Sequence, residues 1–353
     1  MTTVSAIEKI PYISLFTGCG GIDLGLEATG GFTSKLCVEL EKAYFETLQQ
    51  NQGKSLIGGN VFLEDTKLIN GDVFSNESLS AISEISKSFT GLWAIVAGPP
   101  CQSFSTLGNR AGKLDPRGNL TLRFFSLLEQ FRPPIFLFEN VPPLGQKAGI
   151  EIRKEIFKIL DDAGYTFTAK IVNMADYGCY TKRKRFIIFG SLRNDIGFPD
   201  ETHLEQENLF KPKWRRSFDA LKGLPDPYKR NRMTHHDPVN HTDDVKARFE
   251  GLSLGQYDRK RHRSKLDPEA PGPTLVAGAT GGYCHHIHWN SRELTSRESA
   301  RLHGFPDKFQ FSGTKLDVAK QIANSIPVNF GVAVGSWLLD KLKKKESISA
   351  LGS

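Results

Sequence analysis

A cysteine acts as a nucleophile through its thiolate, and Cys101 stands where a thiolate would be useful. It closes the run Gly98-Pro99-Pro100-Cys101, directly after the apolar stretch Leu92 to Ala97. Two prolines stiffen the approach to the thiol, and the carboxyl end of a parallel strand is where α/β enzymes place their chemistry. Free cysteines are usually buried and inert; this setting favours the nucleophile. Glu139 follows a second apolar stretch, Ile135 to Phe138, and would reach the same sheet edge. Arg183 and Arg185 precede a third, Phe186 to Phe189, and on extended backbone they share one face. A thiolate, a carboxyl and a pair of guanidiniums suit covalent catalysis on a polar ring.

A second group of residues could hold a cofactor. Phe16-Thr17-Gly18-Cys19-Gly20-Gly21 follows the apolar Tyr12 to Phe16 and opens a helix. Glycines there let the backbone turn sharply and approach a ligand. Glu39 lies 21 residues after Gly18, where a carboxylate can accept from both hydroxyls of a ribose. Asp72, in Gly71-Asp72-Val73, could accept from an adenine amino group. No Lys-Ser or Lys-Thr follows the glycines, so this is no phosphate-gripping loop. The full G-x-G-x-x-G spacing is also absent. A nucleoside cofactor without phosphates fits better than a dinucleotide.

Alternating elements must position these groups. The sequence predicts strands at 12–16, 36–39, 92–97, 135–138 and 186–189, with helices at 22–28, 41–50 and 120–131. That alternation implies an α/β fold: a Rossmann-like, mostly parallel sheet with helices on both faces. The pattern fails after about Gly190. Residues 195–270 are rich in Arg, His, Pro and Asp and predict a smaller, loop-rich domain. Regular structure returns with a helix through Arg301 and another from Val318 to about Lys343. The chain has 353 residues, enough for two domains. We divide it into 1–192, 193–290 and a return segment, 291–353, that completes the first domain.

Composition is that of a soluble globular protein, and Met1 to Lys9 lacks an apolar signal core. No stretch reads as the roughly 20 apolar residues of a membrane span, so a cytoplasmic location is expected. The five cysteines (Cys19, Cys37, Cys101, Cys179 and Cys284) include no C-x-x-C pair. That argues against disulfides and a cysteine-rich zinc site. Cys284-His285-His286-Ile287-His288 and the histidines 235, 236 and 241 lack a clear metal spacing, and no metal is expected. Net charge is +7. Lys211 to Lys265 alone holds 15 basic against 7 acidic residues, a local surplus that suits a polyanion or a solvated face.

Taken together, these segments resemble the DNA cytosine-5 methyltransferase family of bacterial restriction-modification type. F-x-G-x-G-G at 16–21, G-P-P-C-Q-S-F-S at 98–105, Asp115-Pro116-Arg117-Gly118 and E-N-V at 139–141 occur in the family order. So do Arg183-x-Arg185, R-E-S-A-R-L-H-G-F-P at 297–306 and Gln321-Ile322-Ala323-Asn324-Ser325. Departures are Tyr180 and Thr181 before the arginines, Ala323 in place of a glycine, and Leu40 where an aromatic can stack on adenine.

The resemblance implies S-adenosyl-L-methionine as cofactor, S-adenosyl-L-homocysteine as product, and double-stranded DNA as substrate. It implies Cys101 as nucleophile at C6 of a flipped cytosine, with Glu139 protonated at N3, Arg183 on O2, and Arg185 holding Glu139 or the loop. It assigns the cofactor to Phe16, Gly18, Cys19, Gly20, Gly21, Glu39 and Leu40, to Asp72, Val73, Pro100 and Leu120, and to Asn324 and Ile326. DNA contacts fall on Gln102, Ser103, Ser105, Thr106, Arg117 and Thr274, with a closing loop from Gln102 to Gly112. Residues 195–270 correspond to its target-recognition region. A paired restriction endonuclease and a monomeric state complete the expectation. An RNA cytosine-5 methyltransferase and a catalytically silent DNA-binding protein remain alternatives; the incomplete glycine fingerprint disfavours an NAD-dependent dehydrogenase.

Overall fold

The structure, a computed structural model, describes residues 9–100, 119–193, 196–259, 262–276 and 286–351. Its centre is a seven-stranded sheet of β1 (Ile10–Leu15), β2 (Phe32–Glu39), β3 (Lys67–Asn70), β4 (Ala94–Ala97), β5 (Ile135–Asn140), β6 (Thr166–Asn173) and β7 (Lys184–Ser191). The spatial order is β3-β2-β1-β4-β5-β7-β6. The first five strands are parallel; β7 runs antiparallel to both β5 and β6.

Both faces of the sheet are covered, which is why its strands read as continuous apolar runs. Side chains alternate between the two layers. Ile13, Leu15, Ile95, Phe136 and Phe138 enter one core, beneath α3 (Asn76–Ser88), α4 (Asn119–Phe131) and α5 (Ile150–Asp162), while α2 (Lys42–Asn51) lies against β3. Tyr12, Ala94, Val96, Leu137 and Ile187 enter the other, under α1 (Gly21–Ala28) and the C-terminal helix. The strand β6, unforeseen in the sequence, has an edge position with exposed or half-buried residues at most sites, so its apolar signal is diluted.

The order reverses between β1 and β4. Loops leaving neighbouring strands there diverge to opposite faces and open a crevice at the carboxyl edge. The Gly18–Gly21 loop leaves β1 and the Gly98-Pro99-Pro100 turn leaves β4, so both border that crevice.

Residues 196–276 carry little regular structure: two short helices, Ser217–Leu221 and Asp243–Glu250, and two-residue strands. One of these, Gly272–Pro273, pairs in parallel with Thr181–Lys182, just before Arg183. The chain then forms a helix at Ser296–Leu302, started by a capping box of Thr295 and Glu298. Arg297 is buried and donates to Thr234, Pro306 and Phe309, and Arg301 grips Asp307 through two nitrogens. The R-E-S-A-R-L-H-G-F-P segment is therefore a scaffold that locks the 234 and 306–309 turns to the helix.

The helix expected from Val318 to about Lys343 is two helices. Lys315–Asn324 ends at Ser325, and Val328–Leu351 follows. Pro327 explains the break, because its ring disfavours helical backbone at Ile326 and offers no N–H to continue the ladder. The second helix crosses α1 at close range: a Cβ on Gly25 would stand 2.2 Å from the Val328 carbonyl oxygen. Residues 315–344 include a window long and apolar enough to cross a membrane, contrary to the reading of the sequence. In the fold 61% of that window is buried, so its apolar character goes to the core.

Candidate active site

The glycine loop is held in shape by Glu39. Its two carboxylate oxygens accept from Gly18 N at 2.7 Å and from Glu41 N at 2.8 Å. Burial pushes its pKa up, and those backbone donors oppose the shift. Phe16, Gly18 and Gly20 all have positive φ, at 53°, 63° and 79°. A Cβ on Gly20 would meet Leu48 and Phe62 at 2.9 Å, and one on Gly21 would stand 2.3 Å from the Ile326 carbonyl oxygen. Those two glycines are needed for packing. Gly18 differs: a Cβ there would meet nothing within 4 Å, so its face is open to the crevice.

The other predicted cofactor residues sort by position. Leu40 is 64% exposed beside Glu39, an apolar side chain left uncovered at the crevice. Asn70 fixes it by donating to the Glu39 and Leu40 carbonyls. Asp72 is exposed just past β3 and accepts from Phe74 N at 2.9 Å. Asn324 is exposed and donates to the Tyr44 hydroxyl at 3.3 Å. Phe16 is half-buried against Phe74, Leu120 half-buried at the start of α4, and Pro100 exposed. Cys19 and Val73 are buried, and the Cys19 thiol points at the Gln321 carbonyl, so neither side chain faces the crevice. Burial also raises the Cys19 pKa, which keeps it a thiol.

The glycine loop and the carboxyl–guanidinium group meet across Ile326 and Gly98. Ile326 touches the Gly21 position through its carbonyl, and its Cδ1 lies 3.9 Å from the Cβ position of Gly98. Glu139 Oε2 lies 3.4 Å from that same point. Glu139 Oε1 forms an ion pair with Arg185 Nε at 2.8 Å, with both side chains largely buried. Ile187 stands opposite Glu139 in the β7–β5 ladder, so Arg185, two residues earlier, projects beyond the strand end on the same face.

Arg183 is also buried. Its Nε and Nη1 find no acceptor among the described residues. Burial and the neighbouring Arg185 lower its pKa to about 9, against a partial rise from Glu139, so it stays charged at neutral pH. His303 is buried nearby and donates from Nδ1 to Ser325, whose hydroxyl is committed to the Ile322 carbonyl. Burial and the two arginines hold His303 neutral.

Two positions lie within the quoted motifs but had no role assigned from the sequence. Asn140 is buried and donates to the Pro99 carbonyl at 3.2 Å, tying β5 to the Pro-Pro turn. Its signal was its place beside Glu139, a polar pair ending an apolar strand. Gly98 forms the crevice wall. Thr274 spends its hydroxyl on the Lys182 carbonyl at 2.9 Å and so ties the smaller segment to the arginine run. Cys101, Gln102, Ser103, Ser105, Thr106 and Arg117 lie outside the described residues, as do Cys284 and His285.

The open face of Gly18, the Glu39 carboxylate and the Glu139–Arg185 pair beside the Pro-Pro turn thus gather at the carboxyl edge of an α/β sheet, where enzymes of this class place their chemistry. The chain belongs to the C-5 cytosine-specific DNA methylase family, whose sequence profile matches residues 10–339. It is similar to the Type II methyltransferase M.FnuDI of Fusobacterium nucleatum, 31% identical, with 95% of this chain and 96% of the relative covered. M.NgoPII of Neisseria gonorrhoeae is 28% identical over 94% of this chain and 96% of its own. Among solved structures, a putative DNA modification methyltransferase encoded within a prophage (E. coli) aligns at 25% identity and TM-score 0.70, covering 95% of this chain and all of its own. The fold is shared with Schizosaccharomyces pombe Dnmt2 methyltransferase, at 18% identity and TM-score 0.62. The family assignment supports the DNA reading over the RNA alternative.

Proposed function

We propose that this DNA cytosine-5 methyltransferase draws its methyl group from S-adenosyl-L-methionine and forms a covalent Cys101–C6 adduct with a cytosine flipped from duplex DNA. The observation that carries this is the Glu139–Arg185 ion pair one strand from the Gly98-Pro99-Pro100 turn that leads into Cys101. When bound, the cofactor supplies an electrophilic methyl on sulfonium. Glu39 would hold its ribose, Asp72 its adenine amino group, Leu40 and Ile326 its apolar faces, and the open face of Gly18 its backbone approach.

Carbon 5 of cytosine is a weak nucleophile. Addition of the Cys101 thiolate to C6 turns the ring into an enamine whose C5 is electron-rich. Charge builds on N3 and O2 as that bond forms. Glu139 donates a proton to N3, with Arg185 fixing its carboxyl orientation. Arg183 binds O2, and its buried, unpaired Nε and Nη1 are donors that the base can satisfy. After C5 accepts the methyl group, loss of the C5 proton expels the thiolate. The target carbon is inaccessible in a stacked duplex, so the base must be extruded, at a cost of about a few kcal/mol.

Residues 193–290 serve as the recognition domain on this reading, and 291–353 complete the catalytic domain. The naming of relatives as Type II methyltransferases supports a role as the modification partner of a restriction endonuclease; a cytoplasmic location and a monomeric state complete the proposal. The test is incubation with unmethylated genomic DNA and S-adenosyl-L-methionine, then bisulfite sequencing. Protected cytosines in one short motif, lost in Cys101→Ala, are expected. Protection that survives Cys101→Ala would remove Cys101 from the mechanism.

A further inference from the structure

His303 is wholly buried at the end of the Ser296–Leu302 helix, and the reaction derived above makes no use of it. Its hydrogen bonds fix its tautomer. Ser325 Oγ lies 3.0 Å from His303 Nδ1 and gives its own proton to the Ile322 carbonyl at 2.8 Å. Nδ1 must therefore carry the ring proton and donate, which leaves a lone pair on Nε2. That nitrogen is buried and meets no donor among the described residues. An acceptor left unmet in the interior is costly and calls for a physical reason.

Arg183 has the opposite deficit, two buried donors, Nε and Nη1, without an acceptor. Both side chains belong to one wall of the site. Gly272 stands opposite Thr181 in the short parallel pair, and Leu302 Cδ2 lies 3.7 Å from the Cβ position of Gly272. The helix end that carries His303 therefore abuts the strand that leads into Arg183. Of the charges that act on His303, Arg183 comes first and Arg185 second. Arg185 uses its Nε on Glu139 Oε1 and its Nη1 on the Lys184 carbonyl. Asn329 Oδ1, another unmet acceptor, is turned against Gly304, 2.3 Å from its Cβ position. The unmet acceptor of His303 and the unmet donors of Arg183 are thus matched in kind and in place.

We propose that His303 is a positioning residue for Arg183: as the base docks, His303 Nε2 accepts from one guanidinium nitrogen and leaves the other to bind O2. A guanidinium is a rigid planar fork, so fixing one nitrogen aims the next. Hydrogen bonds of this kind are often unmade in the free enzyme and tighten when substrate binds. The ring suits the task because burial and the two arginines keep it neutral. A protonated ring would offer a second donor and repel Arg183. The inference deepens the reading above and rests on its assignment of Arg183 to O2.

The test uses the full chain and two substitutions that separate the two ring nitrogens. His303→Asn puts an amide NH2 near the Nδ1 position, so the bond to Ser325 survives and the Nε2 acceptor is lost. His303→Gln reaches the Nε2 position with an amide oxygen and gives up the bond to Ser325. Single-turnover methyl transfer to unmethylated genomic duplex fragments, the Kd for S-adenosyl-L-homocysteine and Tm are measured for each. We expect His303→Asn to slow transfer by about ten-fold or more at unchanged cofactor affinity. His303→Gln should stay within about three-fold of the wild-type rate, although it melts at or below the temperature of His303→Asn. Rate and stability then fall in opposite orders, which a packing role cannot produce. A His303→Asn enzyme as fast as the wild type, or a His303→Gln enzyme as slow as His303→Asn, overturns the proposal. A wild type that binds S-adenosyl-L-homocysteine yet leaves the fragments unmethylated defeats the functional reading first, and the role of His303 with it.

Discussion

Glu39→Gln tests the cofactor crevice with a near-isosteric change. The wild-type carboxylate accepts from Gly18 N through one oxygen and from Glu41 N through the other. An amide has one acceptor oxygen, so its NH2 group must face one of those N–H donors. At least one charge-assisted bond is lost, worth about 2 kcal/mol, and an acceptor for a ribose hydroxyl goes with it. At about 1.4 kcal/mol per decade, that is roughly 30-fold in affinity if the loss falls on binding. Calorimetry with S-adenosyl-L-homocysteine reads the affinity, and a melting curve of the unliganded protein reads the loop. We expect the dissociation constant to rise at least ten-fold and the melting temperature to fall by only a few degrees. A lower melting temperature with an unchanged dissociation constant would refute the reasoning, because Glu39 would then serve the loop alone.

Three further outcomes follow from the same geometry. Arg185→Met leaves the buried Glu139 carboxylate without its partner, a loss of about 3–5 kcal/mol for a broken buried pair. Single-turnover methyl transfer should slow by at least a hundred-fold at unchanged cofactor affinity, and a loss under three-fold would count against the pair. Gly21→Ala would set a Cβ 2.3 Å from the Ile326 carbonyl. A backbone clash at that distance costs at least the ~1–3 kcal/mol of overpacking, so its melting temperature should fall clearly, whereas Gly18→Ala meets no atom within 4 Å and carries only the roughly 1–2 kcal/mol strain of its left-handed φ of 63°, so it should lose cofactor affinity with a smaller thermal penalty. Equal melting temperatures for the two would argue against the assignment. Glu27, buried and accepting from Ser34 N and Leu63 N, has its pKa raised to about 7, chiefly by burial. The folded state therefore binds its proton more tightly than the unfolded chain. The stability from that group is full below the unfolded value of 4.5 and is lost as pH rises through about 7. Melting temperatures from pH 4.5 to 8 should slope less steeply in Glu27→Gln than in the wild type, and equal slopes would exclude Glu27 as the source.

Much of the catalytic half was legible before any coordinates. The strands β1, β2, β4, β5 and β7 are buried on both faces, so each announces itself as an apolar run, and the loops after them carry their polar residues at strand ends. β6 was missed because an edge strand shows a weak pattern. The long C-terminal helix was predicted whole because its apolar period runs through Ser325 and Pro327, yet the proline breaks the backbone. Glu39, Glu139 and the arginines stood out by residue type and by spacing from strand ends.

Tertiary structure decided what spacing could not. Arg183, just before β7, and Arg185, within it, look equivalent in the sequence, but only their burial and the Glu139 contact show that one is paired and the other holds unmatched donors. The three glycines of the Gly18–Gly21 loop look alike in sequence. Only the packing of Leu48, Phe62 and Ile326 separates those that fill space from Gly18, which opens onto the crevice. The sequence by itself determined five of the seven strands and the residue types at their ends, because local pattern follows from burial of each element. Which polar groups meet depends on contacts between residues far apart in the chain, and those exist only once it has folded.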